Sequence, residues 1–507
     1  MKFVKEKEMK KILIITVLAL MSSGIFAQDN VFLQRDFWSQ QPSVEDVKAK
    51  IKAGHDPKEF NRSHFDGITI AILADAPQKA IEYLLALEGV DLDTRTHDAR
   101  TYLIWASYKG NFPVVKYLVD QKADVNLKGS HGFGAITFAA FAGVEDQRIY
   151  DYLTANGLSI QQENKGGANA MLLIMQKLKN LEMIDYFQQK GLDLNSKDHE
   201  GNNAFNYAAK GGNIEVMNAL IKKGVDYKSK NNLGGNAILV ASQGIRGATP
   251  KLETFKFLVE KGIDPNVVNK NGETPLILLS GRNQDAALIQ YFLEKGVDAN
   301  QTNVEGDNAL IHAAAGNSLE IIKILEEETK KINHKNNEGQ TALMLAVKGN
   351  SEDVVSYLIE NGAKVNVADK DGNNLVYYWA NSAKRSRDGK VIAPSEEKLS
   401  VLEAQGFTFT KPQPNGNTLL HVAVQNNDLA LVKKAIEWNV AVNAKNNEGN
   451  TALLLAALNS KNTEILKYLL ANGADKSITT DFEESAYDLA SENEVLTNNG
   501  ESLEFLK

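Results

Sequence analysis

One eight-residue phrase returns along this chain of 507 residues at a nearly fixed interval. Its plainest form is Gly339-Gln-Thr-Ala-Leu-Met-Leu-Ala346. Clear copies open at Gly67, Gly201, Gly272, Gly306, Gly416 and Gly449, and weaker ones at Ala99, Gly132, Gly167, Gly234, Gly372 and Glu483. The thirteen openings are separated by 32, 33, 35, 34, 33, 38, 34, 33, 33, 44, 33 and 34 residues. A period of that length is one small supersecondary unit per copy, too short to bury its own apolar face. The copies must therefore stack on one another.

The third position of the phrase is Thr69, Thr101, Asn169, Asn203, Asn236, Thr274, Asn308, Thr341, Asn374, Thr418, Thr451 or Ser485, with Gly134 in the remaining copy. Each of these side chains can accept a free amide at a helix start, and even glycine is tolerated there, so a helix is expected to begin at that point. The eighth position is Ala in ten copies, which lets neighbouring helices approach closely. Ile174, Leu279 and Trp379 depart from this and predict locally wider spots. Downstream, Val354, Val355, Leu358 and Ile359 fall on one face at helical spacing between Ser351, a cap, and Gly362, a stop. A short arm follows, such as Ala363-Lys-Val-Asn366, and then a turn.

Helix, turn, helix and β-turn at this period resemble the ankyrin repeat, whose phrase is Thr-Pro-Leu-His-x-Ala. Proline fills its motif place only at Pro275 and histidine only at His421. The resemblance implies an all-α solenoid of stacked helix-turn-helix units with β-turn or hairpin arms: one elongated right-handed stack without a large sheet, binding a partner protein. Residues 28–66 read as a divergent N-terminal capping repeat, 67–482 as the array, and 483–507 as a C-terminal capping repeat with an acidic outer side. Spacing excess places insertions near 243–250 and 381–395, each between the two helices of a unit, where extra length costs little. The longer one contains Ala383-Lys-Arg-Ser-Arg-Asp-Gly-Lys390. It reads as a solvated loop, with contact to an acidic partner or anionic surface as the alternative.

Residues 1–27 read as an address. Lys2, Lys5, Lys7, Lys10 and Lys11 precede the ten-residue apolar run Ile12–Met21, then Ser22-Ser23-Gly24 and Ala27. That is a secretory signal peptide, and its run is half the length of a membrane span. Cleavage is expected after Ala27, with Gly24 as the alternative, and Met9 is a possible true start. The chain is accordingly expected to be exported, to the periplasm first and beyond the cell second.

Charge and composition exclude several chemistries. With 56 Lys+Arg against 64 Asp+Glu and no long basic block, general nucleic-acid binding is disfavoured. No cysteine is present, which removes disulfides, thiolate nucleophiles and thiolate-held metals. Three of the eight histidines, His97, His131 and His199, precede phrase openings, but stacked units stand roughly 8–10 Å apart, too far for shared zinc ligation. Asn203, not His, lies four residues after His199. Gly132-Phe-Gly134 lacks the third glycine of a dinucleotide loop, and Asp369-Lys-Asp371-Gly372 lacks the remaining ligands of a calcium loop. Ser395-Glu-Glu-Lys398 satisfies S-x-x-K without any companion motif. No catalytic residue, cofactor or metal is therefore expected. The reading is a monomeric, non-enzymatic scaffold for another protein. The alternatives are an enzyme or small-molecule binder with its site in the inserted loops, and an effector acting on another organism's proteins.

In a repeat of this kind the second, tenth and eleventh positions, with the two residues before the opening, lie on the turn and the concave side of the first helix. Counting from Ala99 gives His97, Arg100, Tyr108 and Lys109, and counting from Gly132 gives His131, Phe133 and Phe141. Later units mostly hold Asn, Gln, Lys, Gly or Glu there. Aromatic residues with an arginine on a polar surface have the makings of a binding hot spot. The competing reading is local packing of Phe133 and Phe141 beside Gly134. For the leader, N-terminal sequencing of the exported protein should begin near Gln28, and an intact chain embedded in membrane is the result against it.

Overall fold

Helices start where a side-chain oxygen can take a free amide, and the third position of the phrase supplies it. In the computed structural model, which describes residues 30–247, 249–281, 285–385, 391–500 and 502–507, eleven of the twelve polar third-position residues are N-caps. Asn308, for example, accepts from the Ile311 amide at 2.9 Å. Thr69 is the exception. Its helix, Gly67–Leu73, begins earlier, and Asp66 caps it by accepting from the Thr69 amide at 2.7 Å. The neighbour in front is close: a Cβ at Gly67 would come within 2.6 Å of the Phe32 Cβ and 3.0 Å of the Pro57 carbonyl, so glycine lets the helix start there. At Gly134 no side chain takes a first-turn amide, and the one side-chain bond at this helix start runs the other way, Thr137 Oγ1 accepting from the Gly134 amide at 2.9 Å. The expected leader, residues 1–27, lies outside the described residues, as do Ser386–Lys390 of the basic insertion.

The chain divides after Tyr227 into two compact units. In the first, the pair Arg35–Ser39 and Val44–Lys52 precedes five repeated pairs, from Gly67–Leu73 with Gln78–Leu85 to Ala204–Lys210 with Ile214–Lys222. In the second, pairs run from Ala237–Ser242 with Leu252–Glu260 to Ala486–Glu492 with Glu494–Asn498. Within each unit the first helices of successive pairs pack in one layer and the second helices in another. The eighth-position alanines Ala106, Ala139, Ala313, Ala346, Ala423 and Ala456 are fully buried between neighbours, which is why a larger residue there must be accommodated by displacement. At Trp379 the layer gives way to a cavity of about 590 Å³. This is an all-α repeat solenoid architecture, and among the described residues no helix is long and apolar enough to cross a membrane. Among its described residues, the insertion after Leu375–Ala380 forms a two-residue antiparallel pair, β1 (Lys384–Arg385) and β2 (Val391–Ile392), with Lys384 opposite Ile392.

The turns are joined by a backbone ladder. In the second unit the amides of Lys270, Val304, Asn337 and Lys370 donate to the carbonyls of Leu233, Asn271, Glu305 and Glu338, one turn back, at 2.8 to 2.9 Å. The turns that open at Gly272, Gly306, Gly339 and Gly372 are each folded by an Asn or Asp three residues before the opening, Asn269, Asn303, Asn336 and Asp369. Asn336 Oδ1 accepts from the Glu338 and Gln340 amides, and Asp369 Oδ1 from those of Asp371 and Asn373. The opening glycine then takes a left-handed conformation, φ +80° at Gly306, and a Cβ there would lie 2.8 Å from the Asn337 amide of the next turn. Both the dihedral and the closeness demand glycine. Gly362, which ends a second helix at φ +93°, has nothing within 4 Å of such a Cβ. Gly362→Ala should therefore cost only the left-handed penalty, about 1–2 kcal/mol. Gly306→Ala adds steric displacement and should cost about 2–4 kcal/mol in urea denaturation; equal losses would show that the turn ladder yields freely.

Candidate functional site

Two neighbouring units of the first half carry large side chains on an otherwise polar face. Their helices, Tyr102–Lys109 and Ala135–Ala142, pack on each other and place Trp105 and Phe138 side by side, ring centroids 5.6 Å apart. Both are nearly buried. On this pair the half-exposed residues are laid. Tyr108 stacks on Phe138 at 4.7 Å, Phe141 stacks on it at 5.9 Å, and Phe133 leans against Phe138 and Phe141 at 5.4 and 5.3 Å.

Arg100 completes the group from the turn. Its guanidinium lies 4.4 Å from the Phe138 ring centroid and 4.9 Å from that of Trp105, and Nη1 is 3.0 Å from Asp98 Oδ2. Only 11% of its side chain is exposed, so its planar face is committed to the rings and its charge to one carboxylate. Asp98 stands at φ +57° and Ala99 at φ +54°, consecutive left-handed residues in the position that glycine fills elsewhere, and this bend brings the carboxylate to Arg100. On the opposite edge Lys177 places its ammonium 4.9 Å from the Phe141 centroid, where burial lowers the ammonium's proton affinity below that of an ordinary lysine.

The expected residues thus divide. Arg100, Tyr108, Phe133 and Phe141 are brought into one cluster. His97 reaches it indirectly, stacking at 4.6 Å on Phe65, which lies 5.7 Å from Trp105, while its Nδ1 is 2.9 Å from the Ser63 carbonyl. Lys109 turns back to Asp75 of the preceding repeat, Nζ to Oδ2 2.6 Å. His131 is exposed, and its carbonyl accepts the Lys165 amide of the following turn at 3.1 Å. Four members were not read from the sequence. Phe65 and Lys177 stand at the same positions, two before an opening and eleventh in the phrase, and the counting rule would have found them in the flanking units. Trp105 and Phe138 hold the seventh position, which carries Tyr207, His312 and Tyr378 elsewhere and is a signal in its own right.

The polar groups that resembled chemistry are occupied by the scaffold. Asp369, of the calcium-like phrase, receives the turn amides on Oδ1 and the Tyr378 hydroxyl on Oδ2 at 2.8 Å. Ser395 caps the Glu396–Ala404 helix and Lys398 Nζ donates to the Val347 carbonyl at 3.0 Å. His421 accepts the Thr418 amide on Nδ1 and donates through Nε2 to the Asn450 carbonyl of the next turn, and burial holds its imidazole below the ordinary range. Among the described residues no group of three or more His, Asp or Glu is arranged to hold a metal ion.

The family described as ankyrin repeats (3 copies) matches in overlapping windows that together run over residues 40–385 and 396–480. A stretch of 76 residues, 15% of this chain, is 37% identical to 10% of a "Probable palmitoyltransferase AKR2" of Saccharomyces uvarum. Another of 116 residues, 22% of the chain, is 28% identical to 13% of the "Ankyrin repeat and SAM domain-containing protein 6" of Rattus norvegicus. The chain therefore spans about a tenth of the length of these curated relatives. Within the cluster, Phe138→Ala should cost about 3–5 kcal/mol as a buried ring, and Phe141→Ala about half of that because its outer side already meets water. Thermal and urea unfolding of the two variants checks this division between support and surface.

Proposed function

The chain belongs to the ankyrin-repeat family, and from that premise we propose that it is an exported, non-enzymatic scaffold that binds another protein through the aromatic row of its first half. The observation that carries the reading is the pairing of a buried support, Trp105 and Phe138, with half-exposed Tyr108, Phe133 and Phe141 laid against it. Rigid aromatic side chains lose little entropy on binding, and Arg100 is already fixed by Asp98 and two rings, so a partner meets a preorganised surface. Lys109 and His131 belong to the rim of this surface, and His97 to its edge through Phe65. The partner segment that suits it is apolar at its centre and acidic at the Lys177 edge.

Scaffolding fits what the rest of the chain supplies. The carboxylates, histidines and hydroxyls of the repeat phrase are spent on turns and caps, and the relative named as a transferase aligns only over a short repeat stretch. Residence in the periplasm follows from the leader reading, and a single chain suffices for the surface described. Capture from envelope extract with the full-length chain, repeated with Tyr108→Ala and Arg100→Ala, tests the proposal. Each variant should weaken retention of the captured protein at least about tenfold, the loss of about 1.4 kcal/mol or more that marks a hot spot. Retention unchanged in both, with circular dichroism unaltered, places the contact elsewhere.

A further inference from the structure

An asparagine followed by glycine carries a reaction within itself. The glycine amide nitrogen can attack the carbon of the asparagine side-chain amide, because glycine has no side chain to hinder the approach. The chain holds six such pairs, at Asn156, Asn271, Asn361, Asn415, Asn472 and Asn499. The nucleophile is restrained alike in all of them. The amides of Gly157, Gly272, Gly362, Gly416, Gly473 and Gly500 each donate to the carbonyl three residues back, at 2.8 to 3.1 Å.

The electrophile is not. Nδ2 of Asn156, Asn361 and Asn472 donates to the carbonyl four residues back, of Tyr152, Tyr357 and Tyr468, each at 2.8 Å. Asn499 donates to the Lys461 carbonyl at 3.2 Å, and Asn415 to both the Asp371 carbonyl at 3.1 Å and Asn373 Oδ1 at 3.0 Å. Each of these bonds must break before the side chain can swing onto its glycine. Asn271 differs. It stands half-exposed in its turn, and its side-chain amide makes no hydrogen bond within the protein. Its backbone is nevertheless fully used, the amide donating to Asn269 Oδ1 at 2.9 Å and the carbonyl accepting the Val304 amide of the next turn at 2.8 Å.

We propose that Asn271 is a site of spontaneous deamidation, and that its isoaspartyl product opens the turn ladder of the second unit. The Gly272 nitrogen bonds to Asn271 Cγ as the bond from Cγ to Nδ2 breaks. The Gly272 amide proton leaves with Nδ2 as ammonia, and a five-membered imide remains. Water then opens the ring at one of two bonds. Cleavage between nitrogen and Cγ restores the ordinary backbone with aspartate at this position. Cleavage between nitrogen and the main-chain carbonyl carbon leaves isoaspartate, whose backbone runs through Cγ and is one carbon longer. The fold treats the two products differently. Asp371 already stands just before Gly372, its amide bonded to Asp369 Oδ1 at 3.0 Å, so aspartate suits the turn. An added backbone carbon has no room, since even a Cβ at Gly272 would lie 2.5 Å from the Thr302 carbonyl oxygen. Isoaspartate also turns the carbonyl that accepts the Val304 amide into a free carboxylate off the main chain. The bond from Lys270 to the Leu233 carbonyl, in the same turn, is displaced with it. The site is independent of the partner surface, which belongs to the first unit.

Ageing of the full-length chain at mildly alkaline pH, read by peptide mass spectrometry and by labelling with an isoaspartyl methyltransferase, tests the inference. In the folded chain Asn271 should deamidate at least about fivefold faster than any of the other five asparagines, the factor that one net hydrogen bond on the side-chain amide is worth. In urea, where those bonds are absent, all six should react at similar rates. The aged chain should unfold at lower urea than the fresh one, whereas Asn271→Asp should unfold as the native chain does. Asn271 no faster than the others in the folded chain, the same lead for Asn271 in urea, or Asn271→Asp as destabilised as the aged chain overturns the proposal.

Discussion

The structure depends on the hydrogen bond from the amide of one turn to the carbonyl of the turn before it. That bond is short, repeats at Lys270, Val304, Asn337 and Lys370, and can form only if successive turns approach to backbone contact. Glycine at the opening of the phrase permits the approach, because any Cβ at Gly272, Gly306 or Gly339 would fall within 3 Å of the following turn. Once the turns are locked at that spacing, the helices behind them are held close enough that the eighth position must be small. The buried alanines are thus a consequence of the turn geometry as much as of helix packing.

The same constraint accounts for much of the polar chemistry in this chain. Asn269, Asn303, Asn336 and Asp369 before their openings are consumed by turn amides, third-position hydroxyls and amides by helix starts, and arm asparagines by the next repeat, as Asn300 Nδ2 donates to the Glu328 carbonyl at 3.0 Å and Asn333 Nδ2 to that of Gly362 at 2.9 Å. What remains free to vary is what the ladder does not touch: the outer positions of the first helix and the loop between the two helices. The aromatic row and the Trp379 cavity lie at those two places. Arg100 illustrates the limit, since its turn has Ala99 in the left-handed position and still pairs, its Asp98 carbonyl accepting the Ser130 amide at 2.7 Å.

Much of the fold was legible because each position of the phrase has one physical task. Eleven third-position residues stand at the N-cap as read, and Thr69 does not, for a reason outside its own repeat, the Phe32 Cβ and Pro57 backbone packed against Gly67. The candidate surface was legible only in part. Tyr108, Phe133 and Phe141 stood out because large residues at outer positions have no core to explain them, and the same rule reaches Phe65 and Lys177. Trp105 and Phe138 were passed over because the seventh position lies under the surface, where apolar residues are expected anyway. The ion pair of Lys109 with Asp75 of the preceding repeat was not legible, because no local pattern joins the two.

Period, helix starts, turn residues and the points of insertion were determined by the sequence, because each follows from a local requirement: an amide to be capped, a left-handed dihedral, a small side chain between helices. Only the tertiary structure decided which outer residues share a surface. It set Arg100 over Phe138, paired Lys109 with Asp75, and opened the space beside Trp379. These outcomes depend on distances between residues some 30 to 50 positions apart, fixed by how repeats stack, and no local pattern carries that information.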